Sequence, residues 1–127
     1  MDLDTLQWFE AQKHPDALPL YEALEGRILA EIPGVRIKVQ KSQISFYTKH
    51  LFGCVSYIRA RKKAELPPCW LVLTLGLARR LESPRVDIAT EPYPGRWTHH
   101  IVVGSAGEID GELMDWIKEA AAFAAAK

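Results

Sequence analysis

The hydrophobic pattern of this chain changes from helical to strand spacing at Pro33 and Gly34, and that change limits the folds open to it. Upstream, apolar residues recur at intervals of three and four, as on one face of a helix. They are Tyr21, Leu24, Ile28 and Ile32. We expect Asp16 to cap this helix and Pro19 to lie in its first turn. From residue 35 onward apolar and polar residues alternate, which predicts half-buried strands.

About six strands are predicted between residues 35 and 104, at 35–40, 43–47, 52–58, 69–77, 86–92 and 99–104. The segment CWLVLTLGL, residues 69–77, is apolar at successive positions, which favours a central strand covered on both faces. Most connections are too short for parallel crossovers, because a crossover needs a dozen or more residues. The sheet is therefore expected to be antiparallel, with a meander as its simplest topology.

A helix is predicted at each end of the chain. Ser105 and Glu108 have the spacing of a capping box. The stripe after them indicates a C-terminal helix and consists of Ile109, Leu113, Trp116, Ile117, Ala120 and Ala124. Residues 3–11 also have helical spacing, until KHPDALP breaks the pattern. We predict a helical arm over residues 1–15 and one α+β domain over 16–127, whose antiparallel sheet of five to six strands carries the N-terminal helices and the C-terminal helix on one face.

Charge and composition exclude several classes of function. Sixteen basic and sixteen acidic residues leave a net charge of zero at pH 7, so no overall field draws the chain to nucleic acid or to an anionic membrane. Hydrophobic residues make up 48% and charged residues 25%, as in folded domains rather than disordered chains. No leader pattern and no stretch of 18 apolar residues occurs, so we expect a cytoplasmic protein with no membrane partner. Cys54 and Cys69 lack CxxC spacing and are expected to be buried or half-buried thiols.

Two adjacent histidines, His99 and His100, begin the apolar run of RWTHHIVV. Because successive side chains of a strand point to opposite faces, His99 is expected to share a face with Ile101, and His100 with Thr98. The pair is therefore poorly placed to bind one ion together. The other histidines lie in separate segments without metal-ligand spacing. We predict no metal site and no cofactor, and we expect only one of the two histidines to face a pocket.

The segment ARRLESPR places Arg79, Arg80 and Arg85 within seven residues between two predicted strands. The planar guanidinium group suits carboxylate and phosphate, so this cluster is a candidate anion site. The alternative is an exposed loop in which arginine pairs with Glu82. Lys41 would extend the patch if its strand lies nearby.

The basic run RARKKAELPP, residues 59–68, is expected to be a solvated loop between two strands. Binding of nucleic acid through Arg59, Arg61, Lys62 and Lys63 is the alternative. The run contains no interleaved aromatic residues, which speaks against that alternative.

Three segments resemble a known bacterial family. They are KSQISF at 41–46, RRLESPR at 79–85, and the strand WTHH at 97–100 with SAGEIDGELMDWIKEA after it. Over about residues 17–124 the chain is similar to the domain of unknown function 5655. The resemblance implies a compact α+β domain and no particular activity. By motif matching it implies that Lys41, Arg79, Arg80, Arg85 and His100 are recurrent polar positions.

Two hypotheses of different classes follow. The first is a small ligand-binding or protein-interaction domain whose anion-accepting face is formed by Arg79, Arg80, Arg85, His99, His100 and Lys41. The second is a small hydrolase or transferase that uses His99 or His100 as a general base beside a nucleophile such as Ser45, Thr98 or a water. A small anion is the expected partner, nucleic acid is not expected, and the chain is expected to be a monomer or a homodimer.

Overall fold

A computed structural model describes residues 2–127 of the protein. Three α-helices are formed: α1 (Leu3–Ala11), α2 (Leu18–Glu31) and α3 (Gly111–Ala125). Six strands lie between α2 and α3: β1 (Arg36–Val39), β2 (Gln43–Tyr47), β3 (Leu51–Ser56), β4 (Leu71–Leu77), β5 (Ile88–Tyr93) and β6 (Arg96–Val103). Short 3-10 turns occur at Pro15–Ala17, Lys63–Glu65 and Ala106–Glu108. The predicted α+β class and order of elements are confirmed.

The six strands form one antiparallel sheet in the order β1-β2-β3-β4-β6-β5. The first four strands form the predicted meander. The order of the last two strands departs from a meander, because β6 pairs with β4 and leaves β5 at the edge. Gly95, with a φ of +84°, sits in the tight turn that joins β5 to β6, where a left-handed backbone favours glycine.

The hydrophobic core lies between the helices and one face of the sheet. Every second residue of the predicted central strand β4 belongs to it, namely Leu71, Leu73, Leu75 and Leu77. Helix α3 packs over β3 and β4 and contributes Leu113 and Ile117 to the core. The alternate strand residues point to the opposite side of the sheet, which we call the open face.

Helix α1 joins the same core. Trp8 and Phe9 are buried, and the ring of Phe9 packs against Tyr21 of α2 at 5.4 Å between centroids. The division into an arm over residues 1–15 and a domain over 16–127 stays a prediction, but these two side chains lie with the core of the larger part. Among residues 2–127 no helix is both long enough and apolar enough to cross a membrane.

Both predicted helix caps are wrong in position. The N-cap residue of α2 is Ala17, and Asp16 lies one position earlier, within a 3-10 turn. Pro19 does lie in the first turn of α2, as predicted. Helix α3 is capped by Asp110, whose carboxylate accepts a hydrogen bond from the backbone N–H of Leu113 at 3.0 Å. Glu108 instead accepts from the backbone N–H of Gly104, so it closes the turn before the helix.

Candidate functional site on the open face of the sheet

His99 and His100 lie on opposite faces of the sheet, as strand alternation predicts. His99 pairs in register with Leu75 on the core face, and His100 pairs with Thr74 on the open face. The side chain of His99 is buried, whereas that of His100 is half-buried. Only His100 is therefore placed to meet a ligand on the open face.

His99 is tied to the backbone of the β4–β5 connection. Its Nε2 atom accepts a hydrogen bond from the backbone N–H of Leu81 at 2.9 Å, so that nitrogen carries no proton in this arrangement. Burial lowers the pKa of the His99 imidazole, which favours the neutral form. These contacts give His99 a role in holding the loop against the core.

The predicted arginine cluster is distributed over the helix side of the molecule. Arg79 makes a bidentate ion pair with Glu119 of α3, with both nitrogen–oxygen distances 2.9 Å. Arg80 is exposed and lies over the ring of Trp97, 5.7 Å from its centroid. The structure does not bring these two residues to the face that carries His100.

Arg85 is bound to the start of α3. Its Nη1 atom donates to both carboxylate oxygens of Asp110, at 2.9 and 3.1 Å, and to Glu112 at 3.0 Å. Its Nη2 atom donates to the backbone oxygen of Glu108, and its guanidinium lies 5.5 Å from the ring centroid of Trp116. The alternative, an exposed loop in which arginine pairs with Glu82, does not hold for Arg85, which pairs with Asp110 and Glu112 instead.

Lys41 lies in the exposed turn between β1 and β2, where its backbone oxygen accepts from the Gln12 side chain at 3.3 Å. Ligand binding by Lys41, by the three arginines and by either histidine stays a prediction. The structure places these six residues in separate surroundings, and His100 is the one that lies on the open face.

A row of cross-strand neighbours runs over the open face through His100. In order from β1 to β5 the row consists of Lys38, Ser45, Cys54, Thr74, His100 and Ile88. Facing pairs in an antiparallel sheet have Cβ atoms about 4.5–5.5 Å apart, so their side chains can act on one ligand. Five of the six carry a polar group.

The polar groups of the row are neutral at its centre. The Thr74 hydroxyl oxygen lies 2.8 Å from Nδ1 of His100, within hydrogen-bonding distance. Burial lowers the pKa of His100 and raises the pKa of the Cys54 thiol. Ser45 donates to Oε1 of Gln40 at 2.6 Å and accepts from Nε2 of Gln43 at 2.7 Å. The centre of the face thus offers hydrogen-bonding groups rather than an ionised nucleophile.

Arg96 lies flat on the open face above Gly76. A methyl group at residue 76 would lie 2.5 Å from Nη2 and 2.7 Å from Cζ of Arg96, so the guanidinium occupies the space that a side chain would take. Between Arg96 and the pair Cys54 and Thr74 lies a cleft of about 50 Å³. A single water needs about 10–15 Å³ by this measure, so the cleft has room for a group the size of a carboxylate or phosphate.

Three cations lie at strand positions of the open face, namely Arg36, Lys38 and Arg96. Glu91 lies in the irregular part of β5, where its carboxylate accepts a hydrogen bond from the backbone N–H of Gly95 at 3.3 Å. Within residues 2–127 none of the three has a carboxylate oxygen within 4.0 Å. Arg36 donates only to the backbone oxygen of Thr48, at 3.0 Å. In a chain of zero net charge, this face is locally positive.

The family model described as Domain of unknown function (DUF5655) matches residues 8–124. The chain belongs to the DUF5655 family. The DUF5655 match begins within α1 and so reaches further toward the N terminus than the resemblance, which starts at about residue 17. No curated protein and no solved structure matches the chain at a significant level.

Sequence reasoning missed Arg96, the best-placed cation of this DUF5655 chain. The signal was present in RWTHHIVV, because Arg96, Thr98 and His100 alternate onto one face. Arg96 can lie against the sheet because residue 76 has no side chain. Gly76 is 20 positions away in sequence, and the β4–β6 pairing brings the two residues together. In the described part of the chain no three His, Cys, Asp or Glu side chains are grouped so as to hold a metal ion.

Proposed function

We propose that this DUF5655 domain binds a small anionic ligand on the open face of its sheet, with Arg96 as the main contact. The observation that carries the proposal is the charge of this face, which has three cations without carboxylate partners within residues 2–127. An arginine that already pairs with a carboxylate must lose that pair before it binds an anion. Arg96 has no such cost, unlike Arg79 and Arg85.

The cleft beside Arg96 suits the anionic group itself. The guanidinium fork favours bidentate contact with carboxylate or phosphate oxygens. The hydroxyl of Thr74 and the thiol of Cys54 line the same cleft. When Nδ1 of His100 donates to the Thr74 oxygen, the Thr74 O–H is left to donate to the remaining ligand oxygens. The body of the ligand would then extend over the row toward His100.

Arg36 and Lys38 lie too far from Arg96 to share one small anion. Four strand spacings separate β1 from β6, which is about 19 Å at about 4.8 Å per strand. Their contribution is to raise the positive potential of the whole face, which increases the rate at which anions meet it. A broad depression of about 460 Å³ beside these two residues and Tyr47 would accommodate the far end of a longer ligand.

A hydrolase or transferase with a histidine base is less well supported. His99 is buried and bonded to the backbone, which removes it as a base for a substrate. His100 does contact a hydroxyl, that of Thr74. In residues 2–127, however, no ion pair joins His100 to a carboxylate that would orient it. The site therefore favours binding over catalysis.

Thermal unfolding with added anions tests the proposal. The probes are inorganic phosphate, phosphomonoesters and short dicarboxylates, and tryptophan fluorescence reports unfolding. At a concentration one hundred times its dissociation constant, a ligand that binds only the native state stabilises it by about 2.7 kcal/mol. We expect at least one probe class to raise the unfolding temperature of the wild type, and we expect Arg96→Ala to abolish that rise.

Two further variants separate the open face from general charge effects. Gly76→Ala keeps Arg96 but displaces its flexible guanidinium from the sheet, so it should also weaken binding. Arg79→Ala removes one positive charge from the helix side and should leave binding unchanged. The proposal is wrong if no probe stabilises the wild type, or if Arg79→Ala reduces the stabilisation as much as Arg96→Ala.

A further inference from the structure

A third cavity, separate from the open-face cleft and from the depression beside Arg36 and Lys38, is lined by the end of β3 and the long connection between β3 and β4. Its volume is about 310 Å³, which is within the usual range for small-molecule pockets. We call it the 57–70 pocket, because all of its lining residues lie between Tyr57 and Trp70. It shares no lining residue with the cleft beside Arg96.

Five of the eight residues that line the 57–70 pocket are aromatic or aliphatic, and the aromatic ones are held in place by their neighbours. Tyr57 and Trp70 pack edge to face with ring centroids 4.9 Å apart, and the Tyr57 hydroxyl donates to the backbone oxygen of Trp70 at 2.8 Å. His14 stacks on Tyr57 from behind, at 4.1 Å between centroids. Leu66 and Ile58 complete the apolar lining, and Ile58 is 42% exposed although it is a large aliphatic residue. This part of the pocket wall is thus preformed and apolar.

Three cations also line the pocket, and one of them has a structural partner. Arg61 donates to both carboxylate oxygens of Asp87, at 2.9 and 3.2 Å, which ties the connection to the start of β5. Arg59 and Lys63 make no ion pair within residues 2–127, and no carboxylate lines the pocket. A ligand here would meet an apolar wall and two uncompensated positive charges.

We propose that the 57–70 pocket binds an amphipathic monoanion, with an aromatic or short aliphatic body in the pocket and a carboxylate or sulfonate at Arg59 and Lys63. Single-stranded nucleic acid fits this surface less well, because it stacks successive bases on successive aromatic side chains, and of the two rings that line the pocket only Trp70 is not already stacked on another ring. One face of Tyr57 is covered by His14, and Trp8 also stacks on Tyr57 at 5.9 Å. The cations therefore complement a single anionic group on an apolar body.

A pair of fluorescent probes that differ by one charge tests this proposal on the full chain. The first is 8-anilinonaphthalene-1-sulfonate, an apolar aromatic anion, and the second is N-phenyl-1-naphthylamine, which has the same body without the sulfonate. We expect saturable binding of the sulfonate at one site per chain and displacement by octanoate. The uncharged probe should bind about tenfold more weakly, since a loss of about 1.4 kcal/mol is a tenfold change.

Three variants identify the site. Arg59→Ala combined with Lys63→Ala should weaken the sulfonate about tenfold and leave the uncharged probe unchanged. Ile58→Ser should weaken both probes. Lys62→Ala is the matched control, because Lys62 is an exposed cation between them that does not line the pocket, and it should leave both affinities unchanged.

Four results would overturn the proposal. The first is equal binding of the two probes to the wild type. The second is a Lys62→Ala effect as large as that of the double variant. The third is displacement of the sulfonate probe by a single-stranded oligonucleotide at physiological salt, together with loss of oligonucleotide binding in the double variant. That result would assign the surface to nucleic acid instead. Loss of binding in Arg96→Ala would place the probe on the open face and contradict the proposal too.

Discussion

His99 and His100 are adjacent in sequence, yet their imidazoles have different surroundings because they point to opposite faces of the sheet. His99 accepts a hydrogen bond from the Leu81 backbone inside the core, and so gives a partner to an N–H that would cost free energy if it were buried without one. His100 lies beside Thr74 on a face that the core leaves uncovered. Burial lowers the pKa of both, so both are held in the neutral form, one for stability and the other as a neutral group at the candidate site.

Substitution of His99 should reduce stability in a way that depends on pH. His99→Ala leaves the Leu81 N–H without a partner and opens a cavity, so we expect a loss of about 2–4 kcal/mol in the free energy of unfolding at pH 7.5. His99→Gln places an amide oxygen near the position of Nε2 and should lose less. Urea unfolding at pH 7.5 and 5.5 measures both effects.

The expected sign of the pH effect follows from proton binding. With its pKa lowered in the folded state, His99 binds protons more readily in the unfolded chain, whose histidines titrate near pH 6.5. Its contribution to stability is therefore complete above about pH 6.5 and is lost as the pH falls below that value. His99→Gln should lose less stability than the wild type between pH 7.5 and 5.5. If the wild type and His99→Gln differ by the same free energy of unfolding at pH 7.5 and at pH 5.5, this role for His99 is contradicted.

At the scale of elements, strands were easier to predict than the partners that meet across them. Alternation is a local property, so it located the strands and separated His99 from His100. The surroundings of Arg79, Arg85 and Arg96 depend on α3 or on the β4–β6 pairing. These contacts join residues 20 or more positions apart, and no local pattern encodes them. The cap of α3 was missed for a local reason, because Asp110 and Ser105 are both good capping residues.

Arg85 is expected to act as a clamp between the β4–β5 connection and the start of α3. Its contacts to Asp110, Glu112 and the Glu108 backbone would be lost in Arg85→Ala, with an expected cost of about 1–3 kcal/mol in the free energy of unfolding. Arg85→Lys keeps the charge but not the fork, so it should recover less than half of that loss. Urea unfolding at neutral pH measures each variant.

Arg80→Ala is the control for the clamp, because it removes an exposed arginine of the same segment that contacts only the face of Trp97. An exposed cation–π contact contributes about 0.5–1 kcal/mol at most. Equal destabilisation by Arg80→Ala and Arg85→Ala would show that the contacts to α3 add nothing. Ligand binding would then become the better explanation for the presence of Arg85 in RRLESPR.

At the scale of the whole molecule, helices on one side of an antiparallel sheet leave the other side available for binding. The sequence predicts this arrangement because the helical segments flank the strands and the connections are short. The position of β6 between β4 and β5 was not predictable in the same way. The connection from β4 to β5 crosses the place that β6 later fills, so that β5 forms the edge of the sheet. That insertion places Arg96 and His100 beside β4, so the candidate site exists only in the complete sheet.

Deletion of residues 2–15 tests whether the first helix is an arm or part of the core. Trp8 and Phe9 are buried, and Phe9 packs against Tyr21 and Tyr57 of the larger part. Loss of a buried Phe or Trp side chain costs about 3–5 kcal/mol, and whole domains are stable by only about 5–15 kcal/mol. We therefore expect the shortened chain to lose cooperative thermal unfolding, as followed by circular dichroism. Leu3→Ala, at a residue 64% exposed on the same helix, should leave the transition unchanged. Cooperative unfolding of the shortened chain at the wild-type midpoint would instead support a domain that begins at residue 16.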